Sequence, residues 1–305
     1  MIAVQAKSKG GYNLETFKID NVIFCVSEEV LINVRDPYKN APELIIPEKT
    51  PNGESITAIG ESCFKNECFQ KVIMPKSITV VAVSAFRFSF VGEVVWSSGC
   101  KKIPAKCFED SNLKRISNID HVTSIGAYAF AGSCIEEIAY PSSCSYIALG
   151  AFANSSLSKI TNIGHITLID GHAFENSSIK EFFWPENCFR IPNNCFCQCR
   201  CLREIHDISR VVSIGQRAFS KTGIIKFRWP DKCTCIPYGC FLSSDISKIE
   251  NLNSVTKIGD NAFESTPGLT EIDLSGSISL EVGVNPFGNS FKKKIFWPYY
   301  LHKMA

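Results

Sequence analysis

No stretch of this 305-residue sequence stays apolar for the roughly 18 residues that a membrane-crossing helix needs. The opening segment, Met1 to Gly10, has no apolar core of the signal-peptide kind. Together these two gaps make a soluble chain outside the secretory route the expectation. Charge of one sign is also missing. The 32 Lys and Arg stand against 30 Asp and Glu, so a net +2 offers no field to nucleic acid or to an anionic membrane. Catalytic signatures are equally thin: there is no Gly-rich phosphate loop, no nucleophile elbow and no carboxylate pair on a defined scaffold. No catalytic residue, metal or cofactor is therefore assigned, and the chain is expected not to be an enzyme.

Cysteine, by contrast, is abundant: there are 15, an odd number in a long chain, whereas secreted disulfide scaffolds are short and even-numbered. Cys63, Cys107, Cys195 and Cys240 each precede a phenylalanine, while Cys100, Cys144, Cys188 and Cys233 share another phase. Such regular placement favours thiols packed as small apolar residues.

The placement follows an internal repeat. Phenylalanine recurs at 64, 86, 108, 130, 152, 174, 196, 219, 241, 263 and 287, with steps of 22 six times, then 23, 22, 22 and 24. Five residues earlier stands Ile or Val, from Ile59 and Val81 to Ile236 and Ile258. Five or six residues later comes an aliphatic or aromatic residue, and three further on a second apolar residue, as in Leu113 with Ile116 or Ile179 with Phe182. A unit this short cannot hold two helices and cannot bury its own apolar residues, so successive coils must stack. A longer period of two coils is superimposed. Coils with I-P-x-x-C-F or a relative continue into Ser117-Asn118, Thr161-Asn162, His206-Asp207 or Glu250-Asn251, and coils with I-G-x-x-A-F or a relative continue into Val95-Trp96, Tyr140-Pro141, Trp184-Pro185 or Trp229-Pro230.

Val122-Thr-Ser-Ile-Gly-Ala-Tyr-Ala-Phe130, Val255-Thr-Lys-Ile-Gly-Asp-Asn-Ala-Phe263 and Cys199, three residues after Phe196, carry a family resemblance. The frame resembles the BspA-like leucine-rich repeats of bacterial and protist proteins, over about residues 43 to 298. The resemblance implies a repeat solenoid of the leucine-rich-repeat type, with short parallel strands and turns in about eleven coils. It also implies a non-enzymatic, surface-displayed protein of adhesion or host recognition, binding a protein or a glycan. An intracellular protein-interaction scaffold is the alternative, favoured by the thiols and the missing export signal. The expected organisation is a cap at 1–50, containing strands near 21–26 and 30–34, a solenoid at 51–291 and a cap at 292–305, in one continuous domain. Lys292, Lys293 and Lys294 are expected to guard the far end against stacking.

If both apolar residues of the strand L-x-x-I point inward, the residues on either side of the second point outward. The position before it reads Lys71, Glu93, Arg115, Glu137, Lys159, Glu181, Glu204, Lys226, Lys248, Glu271, mostly alternating in sign and suited to pairing across the ladder. The position after it reads Ile73, Val95, Ser117, Ala139, Thr161, Phe183, His206, Arg228, Glu250. Phe183 beside His206 and Arg228 has the composition of a protein-binding anchor, against a bland reading of ordinary surface variation. The candidate partner-binding residues are therefore Glu181, Phe183, Glu204, His206, Lys226, Arg228, Lys248 and Glu250. Trp96, Tyr140, Trp184, Trp229 and Trp297 form a row in one phase. Pointing outward it would be a stripe for glycan or peptide. Pointing inward it is core, with Asn118, Asn162, Asp207 and Asn251 satisfying backbone groups, and strand alternation favours inward. The run Cys195, Cys197, Cys199, Cys201 lacks the paired C-x-x-C of a zinc site. Asn154-Ser-Ser and Asn176-Ser-Ser are glycosylation sequons with meaning only in an exported chain.

Overall fold

Each isoleucine five residues before a spine phenylalanine closes a two-residue strand, and each inward residue eight or nine positions after the phenylalanine sits at the centre of a three-residue strand. β-Branched residues at these places fit a pleated, half-buried surface. Every coil thus contributes one front strand and one second strand, joined by corners. The computed structural model describes residues 2–4, 14–20, 22–36, 42–288 and 294–299. Among them helix is confined to a 3-10 turn at Ile208–Arg210 and to Tyr299, also in 3-10 conformation. The architecture is a β-solenoid of about eleven coils, as the repeat requires. Lys292, Lys293 and residues 300–305 lie outside the described residues, as do 1 and 5–13 at the other end.

The chain forms two compact units, Met1–Cys144 with Asn154–Asn162, and Ser145–Ala153 with Ile163–Ala305. In the first unit, strands Ile2–Val4, Leu14–Ile19, Val22–Ser27 and Val30–Arg35 form an antiparallel meander. Its last strand then pairs in parallel with Ala58–Ile59, which pairs with Val80–Val81. The front strands Glu43–Ile45, Lys71–Ile73, Glu93–Val95 and Arg115–Ser117 form a parallel sheet, and Glu137–Ala139 pairs with Lys159–Thr161. In the second unit the front strands pair in twos: Glu181–Phe183 with Glu204–His206, Lys226–Arg228 with Lys248–Glu250, and Glu271–Asp273 with Lys294–Phe296.

The core is the phenylalanine spine. Rings stack at 4.2 Å for Phe64 and Phe86, 5.0 Å for Phe86 and Phe108, and 5.5 Å for Phe174 and Phe196. Burial of each ring contributes on the order of 1.5–3 kcal/mol, and its stacking about 0.5–1.5 kcal/mol more. Around each ring from Phe64 to Phe263 the backbone alternates in hand. The residues two before and two after are left-handed, as in Ser84 and Phe88 at φ 60 and 56, or Lys106 and Asp110 at φ 57 and 54. This alternation turns three N–H groups toward the next coil, where Ser84, Phe86 and Phe88 donate to the carbonyls of Ala105, Cys107 and Glu109. Each left-handed non-glycine residue costs about 1–2 kcal/mol, offset by the amide hydrogen bonds that the corner makes to the next coil. One residue further, Ser111, Ser133, Ser244 and Thr266 donate to the phenylalanine carbonyl three residues back, at 2.7–2.8 Å.

Close approach explains the alternation of Gly and Pro. A Cβ on Gly126 would lie 2.4 Å from the amide nitrogen of Ala105, just after Pro104, and one on Gly215 would lie 2.4 Å from that of Asn193, just after Pro192. The glycine of one coil therefore seats on the backbone behind the proline of the coil before.

Candidate functional site

The residue following a front strand decides whether the ladder continues. Where it is Met74, Trp96, Trp184 or Trp229, its N–H donates to the next coil, as in Trp184 to His206 at 3.0 Å and Trp229 to Glu250 at 2.9 Å. Where it is Asn118, Asp207 or Asn251, the backbone is left-handed at φ 59, 62 and 67. Among the described residues these make no such bond onward. The following front strand is unpaired with its predecessor there, and a notch opens. The notch between Glu204–His206 and Lys226–Arg228 encloses about 500 Å³, with Ile205 half-buried at its floor and Ile225 exposed on its wall.

This notch lies among the eight residues singled out from the sequence. Glu181, Phe183, Glu204, Lys226, Arg228, Lys248 and Glu250 are exposed, and His206 is half-buried. Phe183 is 55% exposed, a large apolar surface on a strand only three residues long. Register places it opposite His206, and the two rings stack at 4.6 Å. Arg228 stands opposite Glu250 on the next pair of strands. Lys248 pairs with Glu250 within its own strand at 2.5 Å. Their hydrogen bond, then their charges, hold the Glu250 carboxyl below its ordinary value and the Lys248 ammonium above its own.

The expected pairing across the ladder takes a different form. Register brings Lys71 beside Glu93 and Glu137 beside Lys159, yet among the described residues no ion pair within 4.0 Å joins them. The contacts that form on this face run along a strand, Lys248 with Glu250 and His206 with Glu204 at 3.4 Å. Two residues apart on one strand, these side chains share a face and can lean together, while exposed rungs are left to solvent.

The aromatic row points inward. Trp96, Tyr140, Trp184 and Trp229 are buried, Trp297 is half-buried, and the row forms no outward stripe. The indole N–H groups of Trp96, Trp184 and Trp229 donate to the carbonyls of Cys100, Cys188 and Cys233 at 3.0, 2.7 and 2.7 Å. Asn118, Asn162 and Asn251 donate their amides to the carbonyls of Trp96, Tyr140 and Trp229, each at 2.7 Å.

All 15 cysteines are free, ten of them buried. Burial pushes the Cys188, Cys199 and Cys233 thiols up to about 12 and Cys144 to about 11. Their S–H groups serve as donors: Cys199 reaches the Phe174 carbonyl at 2.9 Å, and Cys188 the Ile166 carbonyl at 3.4 Å. Cys195 and Cys199 are fully enclosed while Cys201 is exposed, so the dense run is dispersed. Among the described residues no three His, Cys, Asp or Glu gather as a metal site. The sequon residues Asn154 and Asn176 are exposed.

Two features of the site escaped the sequence reading. One is the notch, signalled by the residues Asn118, Asp207 and Asn251 that end alternate strands. The other is Arg203, which lines the notch and whose guanidinium donates to the Gly223 carbonyl at 2.6 Å and reaches Asp245 at 3.3 Å, tying three successive coils. Gly223 leaves room for it, since a Cβ there would collide with the guanidinium.

A family profile described as "BspA type leucine rich repeat region" matches residues 57–180 and 167–293. No curated protein matches the chain in sequence. Among solved structures, a leucine-rich repeat protein from Bacteroides ovatus is similar at 17% identity and a TM-score of 0.62, covering 95% of this chain and 99% of that one. A leucine rich cell surface protein from Faecalibacterium prausnitzii is similar at 19% identity and a TM-score of 0.61, covering 96% of this chain and 89% of that one. At these identities the likeness concerns the fold.

Proposed function

The chain belongs to the BspA-type leucine-rich-repeat family, and from that premise we propose that it is a non-enzymatic adhesion or cell-surface recognition protein. It binds a protein ligand through the front-strand face of residues 181–250. Leucine-rich repeat proteins are generally protein-binding and non-enzymatic. The observation that carries the location is Phe183, exposed and stacked on His206, which lines the notch together with Glu204, Lys226 and Arg228. An aromatic anchor with a charged rim is the composition of interface hot spots. The name of the Faecalibacterium protein places that protein at a cell surface, and the same location is part of the proposal here.

A second reading, an intracellular scaffold using the same face, is favoured by the 15 free thiols, which suit a reducing compartment. A membrane-impermeant label applied to intact cells that express the tagged protein separates the two. Labelling without permeabilisation supports surface display; labelling only after lysis refutes it and leaves the scaffold. Alanine at Phe183 and Arg228 tests the face itself. If binding to the captured ligand survives both changes, the site is misplaced.

A further inference from the structure

Along the front strands the charge preceding the inward residue changes sign at every step except two, from Glu181 to Glu204 and from Lys226 to Lys248. Exchanging only residues 204 and 226 would restore alternation from Lys71 to Glu271. Register sets Glu181 directly beside Glu204, and Lys226 directly beside Lys248. Like charges on one rung repel. Both exceptions border the notch, and the first lies on the strand pair that carries the exposed Phe183.

The result is a dipolar surface. The strand pair on one side carries Glu181 and Glu204, with His206 beside Glu204 at 3.4 Å. The pair on the other side carries Lys226, Arg228 and Lys248 against Glu250. With His neutral these are formal charges of −2 and +2. Among the described residues neither Glu181 nor Lys226 has an ion-pair partner.

Resting on the strand-face reading above, we propose that this surface is a bipolar docking site. Its occupant is a protein segment that offers a cation to Glu181 and Glu204, an anion to Lys226 and Arg228, and an apolar or planar side chain to the Phe183–His206 stack. An acidic glycan or a nucleic acid would satisfy the basic half and be repelled by the acidic half. A polypeptide carries both signs within a few residues. The like-charge rungs are then relieved on binding, and a ligand of the opposite polarity is excluded.

The test is selection of random peptides displayed on phage against the immobilised full chain, followed by binding assays on three variants. The exchange E204K/K226E leaves net charge unchanged and removes both like-charge rungs, so its melting temperature is expected to match or exceed that of the parent. Peptides enriched on the parent are expected to carry a basic and an acidic residue, and to lose affinity at least 10-fold on the exchange variant. A milder loss is expected on E204Q/K226Q, which keeps the test open should the exchange variant fail to fold. If the enriched peptides have no charge pattern and bind both charge variants as tightly as the parent, yet lose affinity on F183A/H206A, the bipolar proposal falls while the strand face stands. If F183A/H206A binds as well as the parent, or nothing is enriched over it, both readings fall. Competition of the peptides by a sulfated oligosaccharide with no loss on the exchange variant would also overturn the proposal.

Discussion

Asp207→Asn is expected to stabilise the protein, and the reason lies in one missing bond. At the end of alternate front strands, Asn118, Asn162 and Asn251 hold left-handed backbones and donate amide N–H groups to the carbonyl of the aromatic residue one coil back, each at 2.7 Å. Asp207 occupies the same place at φ 62, but a carboxylate has no donor. Among the described residues no side chain donates to the Trp184 carbonyl. Supplying the amide should add one hydrogen bond, about 0.5–1.5 kcal/mol, with a rise in Tm on the order of 1–4 °C. Asn162→Asp should lose a similar amount. Asn162→Gly keeps the backbone's freedom and so isolates the bond from the conformation. Urea titration followed by far-UV circular dichroism and by tryptophan fluorescence reads all three. If Asp207→Asn is neutral or destabilising while Asn162→Asp costs stability, the rungs are not equivalent and the reasoning fails. If all three are neutral, the amide ladder contributes nothing.

Gly126→Ala should cost several kcal/mol, on the order of the larger overpacking losses, because the new methyl would lie 2.4 Å from the Ala105 nitrogen. Gly164→Ala meets nothing within 4 Å and should change the urea midpoint little. Trp229→Phe removes one of two donors to the buried Cys233 carbonyl, the other being the Ser254 hydroxyl at 3.3 Å, and should cost about 0.5–1.5 kcal/mol for the lost bond, again read from the urea midpoint. Alkylation of the native chain should modify the exposed Cys201 and Cys235 first and spare Cys107, Cys195 and Cys240, whose burial raises their thiols well above the ordinary value, with all 15 reacting after denaturation. Stability should also fall at alkaline pH. A thiol raised from 9.0 to about 12, as in Cys188, keeps its full contribution below pH 9 and loses it as pH rises toward 12, because the unfolded chain ionises first. A flat stability profile between pH 9 and 11 would refute this.

Much of the molecule was legible because its signals are translational. A side chain recurring every 22 residues must stack on itself, so the Phe spine, the Ile rows and the inward Trp row follow from phase and strand alternation alone. The role of the asparagines was legible for the same reason. The left-handed pairs around each phenylalanine were partly visible: Asn66, Gly132, Asn154 and Asn176 are residues that tolerate that backbone, but Phe88 and Tyr128 are not. Phe88 is held by the Glu109 carbonyl of the next coil, a contact 21 residues away that local preference cannot register.

The sequence by itself determined the coil, its length, which residues face the core and which eight charged, aromatic and histidine side chains line one face. It could not determine where the front ladder breaks. That depends on whether the N–H after each strand points at the next coil, which the left-handed backbone at Asn118, Asp207 and Asn251 prevents. Only the tertiary structure therefore decided that Glu204 and Lys226 face each other across a notch and that Phe183 lies on His206. Periodicity specifies neighbours along the stack, whereas hydrogen-bond direction at single residues decides which neighbours touch.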